Sequence, residues 1–457
     1  MNTLSRNLLP SVNFRRGTAL LAAVSLSLIG SQLNAQEYVG HNACTTCHGG
    51  IYDDYIDSGH PYKLNKVENG EAPTYPFSEV PNPPEGYTWN DITYVIGGFG
   101  WKARFIDNEG YIITGDAVQY NLLTEGWVGY HADEEPGTKP YDCGACHTTG
   151  WSLFEDNGGM RQDDLPGMAG TFAAPGIQCE ACHGPGGTHV QTLSADDIVK
   201  DSSAELCGSC HFRDSEHRIA ASGGFIRHHE QYDELINSPH RAFNCVQCHD
   251  PHKSTKYELG GVKNPDNCTQ CHSQVEIKLP EMADTDCTSC HMPLASKSAV
   301  TTGLDGLLGD IRSHTYRLNT DINAVMFSED GAFVELDGDG NAIVRADFAC
   351  IACHDGVVAS LQTVEEMYST AKLVHDVWGN AVDNGDGWRW SSWLGWVWTD
   401  DEPWVYTSDR GWLYTDAVAT ELNMYMYQND RTAWLYTNRD DYPWVYDYST
   451  STWNFEG

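Results

Sequence analysis

Cys179-Glu180-Ala181-Cys182-His183 begins the stretch that decides how this chain folds. Between Cys179 and His291 the pattern Cys-x-x-Cys-His occurs five times; the others are Cys207/Cys210/His211, Cys245/Cys248/His249, Cys268/Cys271/His272 and Cys287/Cys290/His291. Two thiols three residues apart share one turn of chain, where they can take the two vinyl groups of a haem. The next residue then sets an imidazole beneath the iron. Zinc needs four ligands and gives no reason for a His fixed directly after the second Cys. A disulfide framework gives no reason for the constant spacing. Five haems in 113 residues leave little room for an ordinary apolar core, so the cofactor must itself be the core.

Three more copies lie outside this stretch: Cys44/Cys47/His48, Cys143/Cys146/His147 and Cys350/Cys353/His354. The eight motifs use all sixteen cysteines and leave none for a disulfide. The expectation is eight haem c groups, with His48, His147, His183, His211, His249, His272, His291 and His354 as proximal ligands.

Working outward, residues 1–35 read as a secretory signal. Arg6, Arg15 and Arg16 precede an apolar run from Ala19 to Ile29, and Leu33-Asn34-Ala35 offers a cleavage site. The run is too short for a permanent span, and no other segment is long and apolar enough to cross a membrane. Haem is attached covalently outside the cytoplasm, so export must precede folding. The chain carries a net charge of −37, and losing three arginines and no acids with the signal takes it to −40. Such acidity argues against nucleic acid and anionic lipid as partners. It suits a periplasmic or cell-surface protein.

Between the first two motifs, Thr88–Ile96 and Trp101–Ile106 read as strands around Gly97-Gly98-Phe99-Gly100. Asp107-Asn108-Glu109-Gly110 then turns the chain into Tyr111–Thr114, while Pro73–Pro84 is loop. Gly150–Gly176 reads as a surface loop. A hairpin is expected from Phe333–Leu336 against Ala342–Val344, around a plain turn at Asp337–Asn341. After the last motif, Leu361, Val364, Tyr368, Ala371, His375 and Trp378 share one face of a helix over Gly356–Trp378.

From Trp388 the character changes. Trp396/Trp398, Trp404/Tyr406, Trp412/Tyr414, Tyr425/Tyr427, Trp434/Tyr436 and Trp444/Tyr446 alternate with polar residues between short turns, the pattern of small stacked hairpins. A self-packing aromatic ladder and an adhesion module that binds glycan through exposed Trp faces are both compatible with it. The expected architecture is therefore a mainly α and irregular multihaem domain over 36–382 with small β insertions, then a β-hairpin repeat module over 388–457.

Sixth ligands decide between wire and enzyme, because a haem iron with two protein ligands only passes electrons. Nineteen histidines less the eight in motifs leave eleven. Of these, His60, His131, His189, His228, His229, His240, His252, His314 and His375 are the distal candidates, with His228 and His229 competing as neighbours. His229 would lie on a helix with Phe225, Tyr232 and Ile236. His41, beside the first motif, and His217, in a charged run, are the weakest of the eleven.

The segments Cys143-Gly-Ala-Cys-His-Thr-Thr-Gly, Cys179-Glu-Ala-Cys-His-Gly-Pro-Gly-Gly-Thr-His189, Cys248-His-Asp-Pro-His252 and Cys290-His-Met-Pro resemble the multihaem cytochromes related to hydroxylamine oxidoreductase and octahaem tetrathionate reductase. The resemblance spans Tyr38 to His375, and its first and last haem regions match less specifically. It implies haems stacked in alternating parallel and perpendicular pairs, and distal roles for His189, His240, His252, His60 and His314. That family holds both enzymes and carriers. Every motif here ends in His, with no Cys-x-x-Cys-Lys, so the most recognisable catalytic mark of its nitrite reductases is missing. The last seventy residues resemble the aromatic hairpin repeats that end some exported bacterial proteins. The favoured expectation is electron transfer to redox partner proteins or an extracellular acceptor, with no catalytic residues assigned. The alternatives are a reductase or oxidase of small nitrogen or sulfur compounds at one five-coordinate haem, and self-association into an extracellular filament.

Overall fold

The computed structural model describes residues 37–263, 268–273, 275, 277–374, 376–416, 419, 421 and 424–456. The expected export signal and His375 lie outside the described residues. Most motifs fold as one tight turn of helix and then stop, as at Gly144–His147, Cys179–His183, Cys268–Cys271 and Cys287–His291. The next residue leaves helical geometry: Thr148 is extended and Gly184 takes φ +69°. Turns this short have no stability of their own and depend on what packs against them. Among the described residues only α1 (His41–Tyr55), at 15 residues, and the Val364–Leu373 helix, at 10, run longer than two turns.

The expectation of a mainly α chain is overturned by this. The molecule is 20% helix and 25% strand. Its motifs spend helix one turn at a time, while two sheets hold the long regular segments.

The first sheet is antiparallel and follows chain order: β1 (Leu64–Lys66), β2 (Ile92–Gly97), β3 (Lys102–Asp107), β4 (Gly115–Asn121) and β5 (Gly126–Tyr130). Side chains alternate between its faces. Val95, Ala103 and Phe105 pack with Val80 and Ile113 on one side. Tyr94, Ile96 and Ile106 pack with Leu64, Tyr141 and Met168 on the other. The sheet is thus buried on both faces and forms an apolar core that needs no cofactor. The β2–β3 link requires Gly97: its φ is +77°, and a Cβ there would lie 2.6 Å from the Lys102 carbonyl oxygen. Trp89–Asp91 is a short 3-10 turn, boxed by Thr88 and Asp91, that precedes the strand expected from Thr88.

Three local expectations need correction. Gly150–Gly176 is no bare loop: it carries the pairs Thr148–Thr149 with Ala174–Pro175 and Ser152–Leu153 with Gly170–Thr171, and it buries Met168 completely. The 333–344 hairpin shrinks to one bridge, Leu336 to Ala342, because Val344 pairs in parallel with Leu318 instead. The helix expected from Gly356 starts at Val364, where the Thr363 hydroxyl accepts from Glu366 N–H and the Glu366 carboxylate accepts from Thr363 N–H. Leu361, counted on its apolar face, is 62% exposed.

The C-terminal sheet has nine antiparallel strands in sequence order, from Val382–Asp383 to Thr452–Phe455. Val397, Val405, Leu413, Met426, Leu435 and Val445 line its buried face. The aromatics occupy the opposite face and meet edge-to-face across strands, as in Trp404–Tyr414 at 5.3 Å, Tyr406–Trp412 at 5.5 Å and Tyr446–Trp453 at 5.5 Å. Val377 and Trp378, which follow the 364–373 helix, are part of this core, and Arg389 bonds Asp376 at 2.6 Å.

Candidate haem-binding site

An imidazole that binds iron through Nε2 must give up its Nδ1 hydrogen elsewhere, which fixes tautomer and ring orientation. The motif histidines do so repeatedly. Nδ1 of His147 reaches the Lys63 carbonyl at 3.0 Å, His183 that of Val199 at 2.8 Å, and His249 that of Gly261 at 3.2 Å. His291 reaches Tyr316 at 3.0 Å, His354 reaches Ser360 at 3.1 Å, and His211 bonds the Gln231 side-chain oxygen at 3.1 Å. Burial acts on three of these rings. It pushes His147 down to about 4, with the charge of Lys63 adding to it, and lowers His211 and His249 as well.

The second observation is spacing. With metal–nitrogen bonds of about 2 Å, two imidazoles on opposite sides of one iron have ring centres about 6 Å apart. Six motif histidines face a second imidazole at that distance. The pairs are His48–His189 at 6.4 Å, His183–His252 at 6.2 Å, His249–His314 at 6.1 Å and His272–His240 at 6.0 Å. His229 lies 6.3 Å from His147 and 6.1 Å from His211, so one ring faces two motif histidines. These residues fit haem: a thiol pair, an oriented proximal ring and a facing second ring.

Cys47, the second thiol of the first motif, is exposed, as are Cys182, Cys248 and Cys271. The reason at Cys47 is helical phase. Cys44 faces the Cys179 motif, and so does Tyr55, beyond the kink that His48 puts in α1. There the Tyr55 hydroxyl donates to the Ile177 carbonyl at 2.6 Å. Cys47 stands about 60° round from Cys44, toward solvent. The first motif therefore presents one thiol to the interior and the other to the surface.

The remaining histidine candidates are placed differently. His229, and not its neighbour, faces the motif rings, since His228 is held by Arg213, which donates to its Nε2 at 2.9 Å. His229 sits at φ +74°, before the helix Gln231–Ile236 that was expected to carry it, with Phe225 on a strand. His60 is buried, its ring pushed down to about 3, and its electrostatic neighbours include His211 and His252. His131 is exposed and bonds Glu134 at 2.6 Å. His217 bonds Asp233 at 2.8 Å, and His41 stacks on Tyr52 at 5.5 Å.

Against known families, residues 173–216 and 237–276 match the doubled CXXCH motif, and residues 126–184 match cytochrome c554 and c-prime. Over 141 aligned residues the chain is 30% identical to the multiheme cytochrome MtrA of Shewanella baltica, covering 26% of this chain. The chain spans only 37% of that relative's length. The fold resembles that of the octaheme sulfite reductase MccA of Wolinella succinogenes (form II), with a TM-score of 0.53 at 16% identity over 74% of this chain and 71% of that one. The chain is a multihaem c-type cytochrome.

In this cytochrome the thiols, which stand here for the thioether sulfurs of attached haem, show how the motifs are arranged. The Cys44 thiol lies beside that of Cys179, Cys146 beside Cys210, Cys207 beside Cys245, and Cys268 beside Cys287. Electrostatic contact also links Cys182 with Cys207 and Cys210, Cys248 with Cys268, and Cys290 with Cys353. The motifs of this multihaem cytochrome therefore follow one another in space from Cys44 through Cys179, Cys207, Cys245, Cys268 and Cys287 to Cys350. The Cys143 motif joins at Cys207 as a branch.

Two groups of the cytochrome's functional residues escaped sequence reasoning. Glu180, inside the third motif, is buried, and its carboxylate accepts from the backbone N–H groups of Val39 at 2.9 Å, Gly40 at 2.8 Å and Gly186 at 2.7 Å. It ties the start of α1 to the start of the short helix Gly187–Thr192 that carries His189, and an acid between two haem cysteines was the signal available. Lys63, just before β1, and Lys102 and Arg104 on β3 act electrostatically on His147, too far along the chain for any local pattern to reveal them.

Proposed function

We propose that this chain is an exported electron carrier with eight covalent haems, most or all of them held by two histidines. The observation that carries this reading is the set of facing imidazoles at 6.0–6.4 Å. Bound haem supplies one-electron redox chemistry. The protein's residues supply attachment through sixteen cysteines and axial rings, several of whose Nδ1 hydrogens are engaged. His189, His252, His314, His240 and His229 serve as distal ligands, with His60 beside His211, and His375 and His131 remaining candidates. Export to the periplasm or cell surface accords with covalent haem attachment, and among the described residues no helix is long and apolar enough to cross a membrane. Its partners are redox proteins or an extracellular acceptor.

The test has two parts. Mass spectrometry of the denatured protein should show the polypeptide from Gln36 plus eight haem masses. Electron paramagnetic resonance of the oxidised protein should show only low-spin iron, and cyanide should leave it unchanged. Seven or fewer haems after expression with a working maturation system would remove at least one site. A second reading, reduction or oxidation of a small nitrogen or sulfur compound at one open haem, draws on His229. One imidazole cannot ligate both irons it faces, so either His60 serves His211 or one position is open. A high-spin signal together with turnover of nitrite, hydroxylamine or tetrathionate would put this second reading first.

A further inference from the structure

Acids outnumber Lys and Arg 64 to 27 in this chain, yet a group of cations converges beside one motif. Lys102 and Arg104 stand two residues apart on β3 and so share a face. Lys102 Nζ donates to the Ser298 carbonyl. Ser298 follows Lys297, which pairs in parallel with Arg227. Arg213 donates to the His228 carbonyl at 2.7 Å, and the His228 ring lies 4.5 Å from that of His229, the ring that faces His147.

These cations are poorly matched by acids. Among the described residues no carboxylate oxygen lies within 4.0 Å of a side-chain nitrogen of Lys102, Arg104 or Arg227. Asp310, which attracts Lys102, already accepts from the backbone N–H groups of Ser298, Ala299 and Val300 at 2.6, 2.8 and 3.0 Å. Arg213 meets Glu230 only at 3.7 Å, while the other Glu230 oxygen accepts from the Ala220 N–H at 3.1 Å. Arg104 instead stacks over Tyr130 at 3.6 Å. Burial, followed by the charge of Arg104, pushes Lys102 down to about 7. A half-buried gathering of like charges is costly unless an anion completes it.

We propose that Lys102, Arg104, Arg213 and Arg227 form an anion clamp for the propionates of the haem held by His147, making that haem the first in the protein to accept an electron. The proposal rests on the reading that Cys143, Cys146 and His147 carry a haem. Its physical basis is charge: reduction removes one positive charge from the iron site, so nearby cations favour the reduced form. The four cations are positioning residues, since they touch the cofactor's edge and not its iron.

The test is a spectroelectrochemical titration of the full-length holoprotein, reading the potential at which the first electron enters. Lys102→Gln, Arg104→Gln and Arg227→Gln should each lower the equilibrium constant for that step about tenfold, which is about 59 mV more negative for one electron. Lys102→Arg should titrate as the parent does, and so should Lys66→Gln, whose lysine is paired with Asp163 at the surface. Arg227 is exposed, so its variant guards against a failure to fold. Unchanged first potentials in variants that retain eight haems would overturn the clamp. So would a spectrum that changes on adding sulfite in the parent but not in the variants, with potentials unmoved, because the cluster would then hold a free oxyanion. A parent protein lacking haem at Cys143 and Cys146 by peptide mass would defeat the reading beneath the proposal instead.

Discussion

The haem-bearing region and the C-terminal sheet solve the same problem by opposite means. In the sheet, Val397, Val405, Leu413 and Leu435 are fully buried side chains, and the fold supplies its own core. Around the motifs, the helical turns are one turn long and the cysteines are half-buried or exposed, so a partner other than side chains must complete the packing. The first sheet, β1–β5, stands between these cases. It is closed on both faces by its own residues, yet Trp101 reaches the Asp310 carbonyl at 3.0 Å and Tyr257 the Phe99 carbonyl at 2.7 Å, far along the motif-bearing chain. A chain can thus be well packed in some parts and dependent on a cofactor in others, and periodicity in the sequence reports only on the former.

The largest effect that would test this contrast comes from withholding haem. Protein made without haem attachment should lose protease resistance across the motif region while a fragment covering 382–455 persists, as limited proteolysis with mass mapping would reveal. Equal loss of both would show that the sheet leans on the haem region through Val377 and Trp378. Next in size, Leu413→Ala should destabilise the sheet by about 2–5 kcal/mol, seen as a lower melting temperature for its near-ultraviolet signal with the haem spectrum unchanged. Glu180→Gln comes third. It weakens the hold on three backbone N–H groups and should cost about 1–3 kcal/mol, with the effect confined to the thermal stability of the haem region. Smallest is Trp412→Ala on the outer face, where losing edge-to-face contacts with Trp398 and Tyr406 should cost about 1 kcal/mol. A cost near that of Leu413→Ala would mean the aromatic face is covered in the intact protein.

What could be read in advance follows the same division. The eight motifs and the tail strands were legible because each announces itself within a few residues, by fixed spacing or by alternation. The exposure of Cys47 was not, since spacing within a motif says nothing of which way its helix faces. The tail's core was also less legible: the aromatics dominate the composition, while the buried face belongs to the smaller Val and Leu between them. Leu361 continues the apolar spacing of the 364–373 helix, whereas the Thr363 capping box starts that helix only after it. His229 was assigned to a helix because Phe225, Tyr232 and Ile236 happen to fit its period; the chain instead turns at His229 with a positive φ. The cation group was illegible, since Lys102, Arg104, Arg213 and Arg227 come together only through β3, the strand Phe225–Arg227 and the loop after Cys210.

The branch at Cys207 gives the motif array three ends rather than two. In a simple series, loss of any interior member severs the line. Here the Cys143 motif can be lost without cutting the route between the Cys44 and Cys350 ends, whereas loss of the Cys207 motif separates all three. A side arm at a junction behaves less like a resistor in series than like a capacitor on a tap. It can hold charge when the outlets are blocked and return it when they clear, so the array would smooth an intermittent supply of electrons as well as conduct them.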